Sequence, residues 1–172
     1  MACSSSSATK CTTPERDMWA SAPPRSSWVT SSFLEYSAKY FGTVAAGDTF
    51  DPEADTSVVY AGQKVPDYNS DILAGINYEI DLSQPVGSRI ENLTMPDGSA
   101  VADDDQFVVA LNNYRRSGGG NFPHVSTAPV VYNDLLEIRQ LLIDWAVEKG
   151  TIDPADFYVP NWTLTVDGVP VP

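Results

Sequence analysis

Residues 111–123, Leu-Asn-Asn-Tyr-Arg-Arg-Ser-Gly-Gly-Gly-Asn-Phe-Pro, gather within one short stretch a strand end, two arginines, three glycines and an aromatic. That is the make-up of a ligand loop. The run Gly118, Gly119 and Gly120 lets backbone N–H groups approach a bound molecule where a Cβ would collide. Arg115 and Arg116 offer planar donor forks suited to phosphate or a purine edge, and Phe122 offers a ring on which a base can stack. Asn112 and Asn113 stand at a strand end, within reach of a base or ribose held by the loop. The competing reading is a turn and nothing more. Gly-Gly-Gly is common loop chemistry, either asparagine can cap a turn through its own side chain, the arginines can pair with Asp103, Asp104 or Asp105, and Phe122 can be ordinary core.

Other chemistry is harder to assemble from these residues. Ser117 to Asn121 lacks the Lys-Ser or Lys-Thr of a phosphate-binding P-loop and runs into Phe122-Pro123, which cannot start the required helix. The run Asp103-Asp104-Asp105 suggests calcium, but no EF-hand spacing follows, and a solvated turn is the simpler account. Asn92-Leu93-Thr94 and Asn161-Trp162-Thr163 match glycosylation sequons, although both fall in expected strands. The single histidine, His124, cannot hold two metals and leaves no Ser-His-Asp or Cys-His constellation. No catalytic or metal-ligating set is therefore expected.

The elements that must position the loop are legible in part. Residues 106–111 read as a strand apolar on both faces, hence central in its sheet, delivering the loop from its end. Ile76, Tyr78 and Ile80 alternate with polar residues as a half-buried strand, residues 89–95 form another, and Pro96-Asp97-Gly98 turns the chain. Trp162, Leu164 and Val166 alternate in a closing strand. Residues 32–41 read as a short amphipathic helix with Phe33, Tyr36 or Ser37, and Tyr40 on one face, stopped by Gly42. Residues 43–70 read as a long loop with a short strand at Val58-Val59-Tyr60. The clearest helix follows a capping box, Asp134-Leu135-Leu136-Glu137, and shows Leu135, Ile138, Leu142 and Trp145 on one face before Gly150. That stripe predicts a helix that anchors the core. Strands and helices mixed in this way indicate an α+β fold, a mixed sheet with flanking helices.

Composition bounds the partners. The 172 residues, 42% hydrophobic with four tryptophans, suffice for one domain with a core. A net charge of −13 argues against a nucleic-acid polymer, which needs a basic track to displace counterions; a single nucleotide needs only a local positive spot. No segment reads as a membrane span or a signal peptide, so the chain as written reads as cytoplasmic with no membrane partner. Of the first 32 residues, 13 are Ser or Thr and none is Gly or Asn. They read as an unrelated, disordered polar tail preceding a domain at 33–172. Cys3 and Cys11 in that tail can staple only a short loop.

Three blocks carry a family resemblance: the loop itself, Gly-Ile-Asn-Tyr-Glu-Ile-Asp-Leu-Ser-Gln-Pro-Val-Gly-Ser-Arg-Ile at 75–90, and Phe-Leu-Glu-Tyr-Ser-Ala-Lys-Tyr-Phe at 33–41. Together they resemble the C-terminal, substrate-recognition domain of the 5'-nucleotidase family, which includes UDP-sugar hydrolases and 2',3'-cyclic-nucleotide phosphodiesterases. The resemblance implies nucleoside or nucleotide recognition by Phe122, Asn113, Arg115, Gly118, Gly119, Gly120 and Asn121. It also implies a second base-stacking aromatic upstream, in a part this chain does not have. Relatives hydrolyse phosphate esters with two divalent metals held by an N-terminal metallophosphoesterase domain. That domain is missing here, so the chain alone is expected to be inactive, cofactor-free and the remnant of a larger enzyme; a native low-complexity leader is the alternative. Its partners would be a nucleotide and the missing domain. Full-length relatives are usually periplasmic, secreted or cell-wall proteins. The rival reading is an independent protein-interaction module or a non-functional truncated product.

Overall fold

The computed structural model describes residues 2–4, 19–21, 27–102 and 105–171, with side chains from residue 31 onward. Strands β1 (Ala2–Ser4) and β2 (Trp19–Ser21) precede helix α1 (Ser27–Ala38). A small hairpin, β3 (Val59–Tyr60) and β4 (Gln63–Lys64), is followed by β5 (Asn77–Asp81), β6 (Ile90–Thr94) and β7 (Phe107–Ala110). Then come the one-turn helix α2 (Asn113–Arg116), helix α3 (Ile138–Lys149), β8 (Trp162–Val166) and β9 (Val169–Pro170).

The alternation at residues 76–82 builds the core. Ile76, Tyr78, Ile80 and Leu82 are buried, and β5 lies inside a four-stranded sheet of order β6-β5-β8-β9. It pairs antiparallel with β6 and parallel with β8, so the sheet is mixed and the fold is α+β. Helix α1 covers it with Leu34, Ser37, Ala38 and then Phe41; of the expected face, Phe33, Tyr36 or Ser37, and Tyr40, it is Ser37 that is buried, and the rest of the face is rotated by one residue. Asn161 fixes the approach of β8: its side-chain amide donates to the carbonyls of Leu73 (2.7 Å) and Ile76 (2.6 Å). The parallel partnership was not legible in sequence, because a pairing over 80 residues leaves no local pattern.

Arg89 joins helix to sheet and is fully buried. A helix leaves its last carbonyls without intrahelical donors. Arg89 adds donors at the helix end and along the turn beyond it: Nη1 donates to Ala38 O and Phe41 O, Nη2 to Gly42 O and Thr43 Oγ1, and Nε to Gln84 O. The backbone N–H groups of Arg89 and Ile90 both donate to Glu35 Oε1, at 2.6 and 2.7 Å. Burial lowers the guanidinium pKa, and the Glu35 and Asp81 carboxylates work against that shift.

Two expectations are corrected. Helix α3 begins at Ile138, not at a capping box, because the Asp134 carboxylate accepts the N–H of its own neighbour Leu135 and Glu137 has extended dihedrals. Its stripe does not anchor the core: Leu135, Ile138 and Leu142 are exposed, Trp145 is half-buried, and no residue of α3 is buried. Nothing among the described residues packs broadly on that face. Elsewhere, β7 is the middle strand of a three-stranded sheet between β1 and β2, and residues 58–65 close as a hairpin. The expected disorder of the tail lies mostly outside the described residues; within them, Ala2–Ser4 and Trp19–Ser21 pair with β7, and α1 starts at Ser27, ahead of position 33. Asp103 and Asp104, of the suggested calcium turn, also lie outside the described residues.

Candidate functional site

The loop leaves β7 through Asn112, whose side-chain oxygen accepts the N–H of Arg115 at 2.8 Å and caps α2. Past Arg116 the backbone passes through left-handed dihedrals at Gly118 (φ 94°), Gly120 (φ 76°) and Asn121 (φ 57°). The two inner glycines are required by the chain itself. A Cβ at Gly119 would stand 2.5 Å from a Tyr114 ring carbon, and one at Gly120 would run into the Arg115 guanidinium and within 2.6 Å of Asn69 Oδ1. The close approach expected of a ligand is made by Tyr114 and Arg115.

Arg115 is buried, and its five N–H donors all end on protein. Nε and Nη2 grip the Asp71 carboxylate at 2.6 and 2.7 Å, Nη2 also reaches Tyr68 O, and Nη1 donates to Asn69 Oδ1 and Gly119 O. The hydrogen bonds to Asp71 raise its pKa further, against the cost of burial. Arg115 thus braces the loop against residues 68–71 instead of presenting a fork to solvent. Its neighbour Arg116 clamps the next turn, donating to Ser126 O and, at 3.2 Å, to Ala128 O. Of the acids expected to pair with these arginines only Asp105 is among the described residues, and its carboxylate accepts the Ala102 N–H.

Phe122, the expected stacking ring, is 4% exposed. Phe33 and Tyr36 of α1 lie against it, with ring centroids at 4.6 and 4.9 Å, and the Arg115 guanidinium carbon stands 4.3 Å from its centre. The Tyr36 hydroxyl also donates to Gly120 O at 2.8 Å, tying helix to loop. Phe122 is therefore the hydrophobic underside of the loop. Asn112, Asn113, Tyr114, Ser117 and Asn121 are exposed; the side chains of Asn113 and Asn121 make no hydrogen bond among the described residues, and Tyr114, 53% exposed, lays its ring on Gly119. A cleft of about 380 Å³ opens at the start of the loop, lined by Phe33, Arg115 and residues 70–73 and 109–112.

Sequence reasoning missed Tyr114 and the bracing set Tyr68, Asn69 and Asp71. Tyr114 stood in the loop and carried the signal; Asp71 lies 44 residues from Arg115 and carried none. His124 holds a left-handed φ of 65°, and its carbonyl accepts the Thr127 hydroxyl at 3.1 Å. Among the described residues, no group of three or more His, Cys, Asp or Glu side chains is gathered to hold a metal ion. No described helix is long and apolar enough to cross a membrane.

With this geometry in place, comparison with known proteins gives a consistent answer. A family model of the 5'-nucleotidase C-terminal domain matches residues 29–127, from α1 through the end of the loop. A trifunctional nucleotide phosphoesterase from Bacillus subtilis is 32% identical over 145 residues, 77% of this chain and 9% of that protein. A 2',3'-cyclic-nucleotide 2'-phosphodiesterase/3'-nucleotidase from Salmonella typhimurium is 35% identical over 113 residues, 56% of this chain and 17% of that protein. Among solved structures, a Staphylococcus aureus protein assigned as a 5'-nucleotidase, in complex with alpha-ketoglutarate, superposes with a TM-score of 0.68 at 27% identity. That match covers 87% of this chain and 27% of the other. The chain spans less than a fifth of the length of these curated relatives. It belongs to the 5'-nucleotidase C-terminal domain family.

Proposed function

We propose that the 111–123 loop recognises a nucleoside or nucleotide, as the substrate-binding part of a 5'-nucleotidase-type phosphoesterase, with the base resting on Tyr114. The observation that carries this reading is the half-exposed Tyr114 ring seated on Gly119, in a loop that also exposes the amides of Asn113 and Asn121. A ring face exposed to solvent takes a base without regard to sequence, and flanking amides satisfy its edge or the ribose. Phe122 and Arg115 serve from beneath: the guanidinium carbon lies 5.4 Å from the Tyr114 ring and 4.3 Å from the Phe122 ring, so all three are stacked into one support. The family membership favours a nucleotide over other flat ligands.

Phosphoester hydrolysis needs more than this chain provides. The donor set does not fit a two-metal centre, with one histidine and no gathered carboxylates among the described residues. On this reading two divalent metals would be held by a metallophosphoesterase domain, and no hydrolytic step is assigned to the described residues.

Titration of the full chain with adenosine and with uridine, followed by amide chemical shifts, tests the reading. Tyr114→Ala should weaken binding by roughly five- to 100-fold, since one stacking face is worth roughly 1–3 kcal/mol. Phe122→Ala should instead lower the melting temperature. Equal affinity in wild type and Tyr114→Ala would reject Tyr114 as the platform, and no shift at millimolar ligand would reject nucleoside recognition by the isolated chain.

A further inference from the structure

Four tyrosines are exposed among the described residues, and two of them, Tyr68 and Tyr114, are anchored to the same guanidinium. Arg115 Nη2 donates to the Tyr68 carbonyl at 2.5 Å, and the guanidinium carbon lies 5.4 Å from the Tyr114 ring. Tyr68 is the middle residue of a single turn of 3-10 helix, Asp67–Asn69. That turn is fixed from two sides. Within it, the Tyr68 N–H donates to Asp67 Oδ1 at 2.8 Å and the Asn69 N–H to Pro66 O at 3.0 Å. Across from it, Arg115 also holds Asn69 Oδ1 at 3.0 Å and the Asp71 carboxylate at 2.6 and 2.7 Å. A Cβ at Gly120 would come within 2.6 Å of Asn69 Oδ1, so the turn is seated against the glycine run itself.

The Tyr68 backbone is held tightly, yet its side chain contributes little to the fold. The ring is 67% exposed, and it makes no hydrogen bond and no ring contact among the described residues. A ring on an already ordered mount loses little freedom when a ligand covers it. Its place relates it to the loop: Ser70 to Leu73 and Val109 to Asn112 line one cleft, and Tyr68 and Tyr114 each follow that lining outward along their own segment. The chemistry on offer there is that of a flat, uncharged group. Arg115 and Arg116 both spend their donors on protein acceptors, and a net charge of −13 disfavours the approach of an anion. Ring surface with amides nearby suits a nucleobase.

Building on the nucleoside reading of the 111–123 loop, we propose that Tyr68 is a second aromatic contact for the base that rests on Tyr114. Two rings from segments distant in sequence, mounted on one arginine, then hold one ligand.

Titration of the full chain with adenosine and with ribose 5-phosphate, followed by amide and ligand proton shifts, tests it. Tyr68→Ala should raise the adenosine dissociation constant by roughly five- to 100-fold, the span for one stacked base, at unchanged stoichiometry and melting temperature. Tyr68→Phe should bind as the wild type does, because the ring and not the hydroxyl makes the contact. Tyr158→Ala, at another exposed tyrosine and outside both segments, should leave the affinity unaltered. Ribose 5-phosphate, which lacks the base, should bind far more weakly than adenosine. Wild-type affinity in Tyr68→Ala beside weakened binding in Tyr114→Ala would overturn the proposal and leave the loop reading standing. A loss shared by Tyr68→Phe, or one accompanied by a fall in melting temperature, would assign Tyr68 a structural role and overturn it as well. Wild-type affinity in both alanine variants, ribose 5-phosphate bound as tightly as adenosine, or no binding at millimolar adenosine would overturn the proposal and the loop reading together.

Discussion

Helices α1 and α3 are each twelve residues long, and their sequences suggest the reverse of their roles. The first carries four serines and a threonine, weak helix formers that compete for backbone hydrogen bonds. The second is built from Leu, Ile, Ala, Gln, Glu and Lys, which favour helix. Yet Leu34, Ser37 and Ala38 of α1 are buried in the core, while α3 buries nothing. Propensity and periodicity describe what a segment can do alone. The stability of a helix in a folded protein comes mainly from what covers its apolar face.

The contrast can be broken from the α1 side first. Arg89→Ala should be the most damaging change, about 3–5 kcal/mol, as expected when one partner leaves a buried charged network. It strips donors from Ala38, Phe41 and Gly42 at once. Urea unfolding measures it; a loss under about 1 kcal/mol, the surface range, would mean α1 does not depend on that cap. Leu34→Ala follows at about 3 kcal/mol, within the range for a buried leucine. The matched change in α3, Leu142→Ala, should cost less than about 0.5 kcal/mol. Equal losses for the pair would erase the distinction between the helices.

A pH scan sharpens the same comparison, because the sheet that α1 covers carries shifted groups. Burial pushes the Tyr78 phenol up to about 12, partly offset by the N–H of Leu73. The unfolded chain releases this proton first, near pH 10, so the associated stability is present below about pH 10 and is lost as pH rises toward 12. Two pKa units correspond to about 2–3 kcal/mol. Tyr78→Phe should flatten the alkaline limb of a stability–pH curve, and an unchanged limb would place the titration elsewhere. Trp145→Ala should cost only about 1 kcal/mol for a half-buried ring, where the sequence pattern by itself predicted a core anchor; a cost of about 3–5 kcal/mol would return α3 to the core.

The legible parts of the molecule were those written in short-range pattern. Ile76, Tyr78 and Ile80 announced β5, Trp162, Leu164 and Val166 announced β8, and the loop stood out by its glycines. The misread parts depend on partners distant in sequence. Arg115 seemed free until Asp71 was brought beside it, and Phe122 seemed presented until Phe33 and Tyr36 were laid across it. The glycines were rightly singled out, but the groups they make room for are the chain's own. Asp81 shows the same dependence. Burial would raise its pKa, yet the Ser83 hydroxyl and the N–H groups of Ser83, Asp167 and Gly168 outweigh this and lower it. Half of those donors lie more than 80 residues away.

The parallel pairing of β5 with β8 sets the order in which this protein can be made. Synthesis proceeds from the N-terminus at about 5–20 residues per second, and early segments fold as they emerge. Here β5 must wait with one edge open until residues 162–166, more than 80 positions later, have left the ribosome. A message truncated before that point would yield a polypeptide with two of the four strands of this sheet absent. Such a product would present an unpaired edge to its neighbours. The sheet is thus closed by a strand that arrives long after the one it completes.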